Sequence, residues 1–141
     1  MSSMLARMTG DYFKNDGLNF GYDGDNEEII RISFDGNNIN TMKFSLFFDD
    51  ENQNVAVRCF NLGGIKVTED KRTALINTFN SLNRGYRWAK FYVDDDDNTV
   101  TVACDGVIRM DTAGEECHEL IMRLCNIIDD KYPTIMKAMW S

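Results

Sequence analysis

NRGYRWAKFYVDDDDNTVTVACDG, residues 83–106, sets four consecutive aspartates, Asp94 to Asp97, between two runs in which apolar and polar side chains alternate. Alternation with a period of two marks a strand with one buried face. A short link rich in Asp and Asn between two such runs supplies the chemistry of a turn. The stretch therefore reads as a β-hairpin: a strand from Tyr86 to Val93, a loop, and a second strand from Thr99 to Cys104. Gly85, just ahead of it, suits the left-handed C-cap of a preceding helix.

Toward the N-terminus, that helix opens where NLGGIKVTED breaks the strand pattern. Thr68 offers an oxygen to the free N–H groups, Glu69 and Asp70 suit the positive end of the helix dipole, and Leu75, Phe79 and Leu82 mark a buried face. Before it come three alternating runs: Ile30, Ile32, Phe34; Met42, Phe44, Leu46, Phe48; and Val55, Val57, Cys59. The links DGNNIN and DDENQN are short and turn-like, which predicts an antiparallel meander. GYDGDNEE reads as a polar loop. Ahead of that loop, Ser3 to about Lys14 carries Leu5, Met8 and Tyr12 at helical spacing.

Toward the C-terminus, a last helix from about Thr112 carries Leu120, Leu124, Ile127, Ile128 and Ile135, with an interruption and a bend expected near Pro133. The order helix, three strands, helix, two strands, helix predicts an α+β domain of two layers, with helices on one side of a five-stranded antiparallel sheet. At 141 residues, with short links throughout, the chain has room for a single domain over 1–141.

Composition narrows the function classes. With 23 acidic against 15 basic residues and a formal charge of -8, the chain is poorly suited to phosphate backbones, where each contact needs Lys or Arg to displace counterions. No window approaches the roughly 20 apolar residues of a membrane span, and MSSMLARMTG lacks the apolar core of a signal peptide. A cytoplasmic protein is expected. Cys59, Cys104, Cys117 and Cys125 sit in apolar runs without CxxC pairs, so they are read as buried free thiols and not as zinc ligands.

Asp94, Asp96 and Asn98 match the opening of a calcium loop. The match then fails: Thr99 stands where the sharp bend needs glycine, and Asp105 where the bidentate glutamate belongs. A solvated hairpin loop accounts for the aspartates better, and the same holds for Asp23, Asp25 and Glu27. His118 is the only histidine, set in GEECHEL with no nucleophile or orienting partner in view. LGGIKV lacks the spacing of a phosphate-binding loop. No catalytic residue, cofactor or metal ligand is assigned, and an enzyme is not expected.

Apolar surface remains. Tyr86, Trp88 and Tyr92 fall on one face of their strand and Ala89, Phe91 and Val93 on the other, so both faces offer apolar material. Phe47, Phe60 and Leu62 raise the same question on the second and third strands. Either flanking elements cover these side chains, or they form a protein-binding or dimer surface, for which aromatic residues are well suited. In the second case Tyr86, Trp88, Tyr92, Phe47 and Phe60 are the candidate contact residues, with Arg87 pairing at the rim.

The helix and hairpin ALINTFNSLNRGYRWAKFYVDDDDNTVTV, with Asn77, Asn80 and Asn83 leading into the KFYVD strand, and the closing DDKYPTIMKAMW resemble the YbjN family of bacterial proteins, labelled sensory transduction regulators. The resemblance spans nearly the whole chain. It implies a fold like that of type III secretion chaperones: α-βββ-α-ββ-α, with the sheet in the order 1-2-3-5-4, usually as a homodimer. It supplies no catalytic residues. What it implies is a non-enzymatic, chaperone-like or regulatory module that binds a segment of an unidentified protein client on apolar surface. A small-ligand or cation-sensing domain using the acidic loops is the alternative.

Overall fold

The computed structural model describes residues 2–141. Its first helix, α1, spans Met4–Asn15. Ser3 caps it: Ser3 Oγ accepts the Ala6 N–H at 3.1 Å and donates to Asp50 Oδ1 at 2.6 Å, while Asp50 Oδ2 accepts the Met4 N–H at 2.7 Å. A carboxylate from a distant hairpin thus sits at the positive end of the helix. The buried stripe is Leu5, Ala6, Thr9, Gly10 and Phe13. Met8, expected on that stripe, is exposed instead, because the buried side turns Thr9 to Cys117 and Phe13 to Phe20.

The strands are β1 (Phe20–Asp23), β2 (Ile29–Phe34), β3 (Met42–Asp49), β4 (Asn54–Cys59), β5 (Lys90–Asp94) and β6 (Thr99–Val107). They form one antiparallel sheet in the order β1-β2-β3-β4-β6-β5. The sheet therefore has six strands where five were expected. The additional strand lies in the stretch read as a polar loop, and it pairs Phe20 with Ile32 and Tyr22 with Ile30 at the edge. The other five strands stand beside one another in the expected sequence. Phe20 packs edge-on against Phe13 at 5.9 Å, and Gly10 leaves room for the Tyr22 ring. Two aromatic anchors thus recruit four residues into the sheet despite Gly21 between them.

Helix α2 spans Glu69–Gly85 and α3 spans Ala113–Trp140. Together with α1 they cover the sheet face formed by Ile30, Ile32, Phe44, Leu46, Val55, Val57, Phe91, Val100 and Val102, all buried. Thr68 stands at the N-cap of α2 with extended backbone, but no cap bond to the main chain forms; its hydroxyl bonds the Asp70 carboxylate, which holds that carboxyl below its usual range. Gly85 ends α2 in helical conformation and Tyr86 follows extended, so the expected left-handed cap is not used. Residues 86–89 are irregular, and β5 begins only at Lys90.

Helix α3 runs through Pro133 without a break, against the expected interruption. Proline removes the N–H that would bond the carbonyl four residues back, at Asp129. Asn38 takes its place: its side-chain Nδ2 donates to the Asp129 carbonyl at 2.9 Å. With that acceptor satisfied, the last turns carry Ile135 and Met139 into the core of the same chain.

Candidate functional site

The sheet face opposite the helices is open. Cross-strand register places Phe47 beside Ala56, Arg58 between Ser45 and Ala103, and Tyr92 beside Thr101. Phe47 and Phe60 lie edge-on at 6.2 Å. Arg58 donates to Asp105 Oδ1 at 2.6 Å. Burial disfavours its charge, but the Asp105 carboxylate and the Tyr92 hydroxyl outweigh that and hold its pKa above the usual value. Thr101, beside Tyr92, is fully buried, and its Oγ1 has no hydrogen-bond partner among the described residues. The middle of this face is thus an aromatic strip of Phe47, Phe60 and Tyr92, with one ion pair set into it. Phe60 and Tyr92 are 44% and 38% exposed.

The candidate contact residues divide. Phe47, Phe60 and Tyr92 come together on the open face. Tyr86 instead packs against the core from the link between α2 and β5, because the strand starts later than alternation implied. Arg87 is exposed in the same link. Trp88, 49% exposed, stands at the mouth of a groove of about 810 Å³.

That groove runs from the end of β6 to α3 and is lined by Ala56, Asp105, Gly106, Val107, Glu116, Glu119, Leu120 and Arg123 together with Trp88. Val107 is 83% exposed. Gly106 has a reason to be glycine, since an added Cβ would press on Leu120 Cδ1 at 3.0 Å. The strand runs past its expected end at Cys104 to Val107, which lies out of phase with the buried Val100, Val102 and Cys104 and on the same face as Asp105. Leu120, on the expected helical stripe, is half-buried and lines the groove.

Most carboxylates of the acidic loops bond their own backbone or a neighbouring cation. Asp94 Oδ1 accepts the Asp96 N–H at 3.0 Å, Asp97 Oδ1 accepts both the N–H and the hydroxyl of Thr99, and Asp95 pairs with Arg72. These bonds hold Asp97 below the usual carboxylate range, and Asn98 takes the left-handed position of the turn at φ 59°. Asp23 accepts the Gly24 N–H and the Arg31 guanidinium, and Glu27 lies 3.9 Å from Arg7. Among the described residues no group of three or more His, Cys, Asp or Glu is arranged to hold a metal ion.

His118 is a packing residue: its ring sits edge-on to Tyr12 at 5.9 Å and Phe13 at 6.2 Å, with Nδ1 3.7 Å from Asp16 Oδ2. The four cysteines are buried and unpaired. Burial pushes Cys59 up to about 11 and Cys117 and Cys125 up to about 12. Such thiols are poor nucleophiles and poor metal ligands.

No helix is long and apolar enough to cross a membrane among the described residues. No curated protein sequence matches the chain. Among solved structures, YbjN from E. coli, "a putative transcription regulator", superimposes with a TM-score of 0.60 over 89% of each chain at 10% identity. A chain of the ExsC–ExsE complex superimposes with a TM-score of 0.59 at 14% identity, covering 92% of this chain and 96% of that one. At such identities the likeness is one of fold: an α+β arrangement of one antiparallel sheet with its helices on one face. The sequence itself matches the family model "YbjN: Putative bacterial sensory transduction regulator" over residues 11–129. That match takes in every strand and most of the helical layer, and on it the chain belongs to the YbjN family.

Proposed function

We propose that this protein is a non-enzymatic, regulatory or chaperone-like module that binds another protein on the uncovered side of its sheet and works as a homodimer in the cytoplasm. The observation that carries the reading is the exposed apolar surface: Phe60 and Tyr92 on the open face beside the half-buried Phe47, continuing past Asp105 to Trp88 and Val107 in the groove. Large apolar side chains grouped in this way and rimmed by charge are typical of protein-binding surfaces. Most carboxylates of the acidic loops are engaged locally and the thiols are buried, which supports binding over chemistry. The ExsC–ExsE complex, whose fold is shared, is itself an assembly of two proteins.

Self-association belongs to the same reading through the resemblance to dimeric secretion chaperones, and α2 offers a surface for it: Ile76 is 44% exposed on its outer side. An isologous contact uses one patch twice, so one charge placed there removes two contacts. Multi-angle light scattering should give a mass near twice the 16.2 kDa chain, and Ile76→Asp should reduce it to a single chain without lowering Tm by more than a few degrees. A monomeric parent protein at high concentration would remove the homodimer from this reading.

A further inference from the structure

The two flanks of the β5–β6 hairpin are finished differently. On the outer edge of β5, the Asn83 carboxamide acts as a neighbouring strand would: Oδ1 accepts the Phe91 N–H at 2.7 Å and Nδ2 donates to the Phe91 carbonyl at 3.0 Å. At Phe91 a side chain thus occupies that edge. But β5 reaches only to Lys90, which pairs with Ala103, while β6 continues to Val107. Beyond Ala103 the β5 side of β6 has no strand beside it.

The phase of the ladder shows which groups are left. The Ile108 N–H bonds the Gln53 carbonyl at 3.1 Å, so residues 108, 106 and 104 turn their main-chain groups toward β4. Antiparallel pairing alternates. Asp105 and Val107 therefore turn theirs away from β4, into the groove beside Trp88 and Leu120. Among the described residues neither has a main-chain partner there.

We propose that the free end of β6, Cys104–Val107, takes an added strand from a protein partner, an extended segment in which basic and apolar side chains alternate. This deepens the protein-binding reading and rests on it. The free stretch is about 13 Å long at ~3.3 Å per residue, and two residues with outward N–H and C=O groups provide about four ladder bonds. Side chains on one face of the added strand meet Leu120 and Gly106, and those on the other meet Asp105. Asp105, Glu116 and Glu119 line the groove with Arg123, and Arg58 pairs with Asp105 from the open face, so three carboxylates stand against two guanidinium groups in a chain of charge -8, and a basic segment is favoured over an acidic one. The same charges disfavour a second copy as occupant, because β6 laid against β6 brings like carboxylates face to face.

The test uses the full chain and a capped synthetic peptide, Lys-Val-Lys-Val-Lys-Val-Lys, with two controls: the Glu-Val analogue, and the Lys-Val peptide N-methylated at alternate amides. Fluorescence titration of a labelled peptide measures affinity, and amide exchange followed by NMR measures protection. The unmodified peptide should bind at least tenfold more tightly than either control and slow exchange of the Asp105 and Val107 amides at least tenfold. Val107→Pro, which removes one outward N–H at an edge where proline is tolerated, should weaken it at least tenfold while Tm stays within a few degrees. Binding equal to that of the N-methylated peptide means charge attraction without strand addition and overturns the proposal, as does an absence of binding or of amide protection. If Val107→Pro fails to fold, Trp88→Ala in the groove wall replaces it with the same tenfold criterion. A dimer by light scattering that binds no peptide sinks the added strand while leaving the wider reading in place.

Discussion

Asn38 and Asp129 are interlocked: the Asn38 main-chain N–H donates to Asp129 Oδ1 at 2.7 Å, and its side-chain Nδ2 donates to the Asp129 carbonyl at 2.9 Å. The carbonyl is the one that Pro133 leaves without a helical partner. If Asn38 compensates for the proline, the two residues are energetically coupled. Asn38→Ala should cost about 1 kcal/mol in the native protein and clearly less in a Pro133→Ala background, where the helix supplies its own N–H. Urea melts of the two single variants and the double variant measure this coupling; additive losses would mean the amide bond is incidental.

The Asp129 carboxylate titrates below its usual range, chiefly because the Asn38 N–H, and then those of Asn37 and Ile39, bond its charged form. Asp23, Asp49, Asp70 and Asp97 are lowered in the same direction by local hydrogen bonds. A group whose folded pKa is depressed stabilises the fold above the unfolded value and loses that contribution as pH falls through the folded one. Tm should therefore be flat at neutral pH and drop as pH passes below about 4. Asp129→Asn should lower Tm at pH 7 and make the acid limb shallower; an unchanged limb would show that the carboxylate does not couple to folding.

Asn83 satisfies both main-chain groups of Phe91, whose ring stacks on Phe79 at 5.7 Å inside the core. Asn83→Ala leaves a donor and an acceptor unpaired at a partly buried edge, with an expected cost of about 1–3 kcal/mol. Asn83→Asp keeps the acceptor and loses the donor, so it should fall between. The Phe91 amide should lose exchange protection in the alanine variant before its neighbours Lys90 and Tyr92 do. Uniform loss along β5 would point to general loosening of the hairpin.

The native thiols should be inert. With Cys59 near 11 and Cys117 and Cys125 near 12 by burial, and Cys104 raised for the same reason, thiolate is scarce at pH 8. Ellman's reagent should find almost no reactive thiol in the folded protein within minutes and all four cysteines in 8 M urea or its equivalent, taken as roughly full unfolding. One fast thiol in the folded protein would reveal local opening at that residue.

The tail after Tyr132 is part of the core. Ile135 and Met139 are 0% and 1% exposed, and removing either large apolar side chain costs about 2–5 kcal/mol. A chain ending at Tyr132 should melt far below the full chain or fail to fold. Equal melting of the two would mean that the last turns are dispensable.

Much of this protein follows from periodicity alone. Ile30, Ile32 and Phe34, then Met42 to Phe48, then Val55 to Cys59 alternate because a sheet covered on one side buries every second residue, and helical spacing in Leu75 and Phe79 follows from the same need to cover it. Those are local rules, so they are legible one segment at a time. Phe20 to Asp23 escaped because four residues with a central glycine carry too little local signal; β1 exists only where Phe13 and the gap over Gly10 receive its two aromatic rings. Pro133 misled for a related reason, since the side chain that spares the helix lies some ninety residues earlier in the chain (Asn38). Alternation could nominate Phe47, Phe60, Tyr86, Trp88 and Tyr92 as surface candidates, but it could not sort them. That sorting depended on where β5 begins, which side Arg58 and Asp105 occupy, and how far β6 outruns its neighbour. Each is a relation between strands distant in sequence, settled by packing and by hydrogen-bond phase in three dimensions.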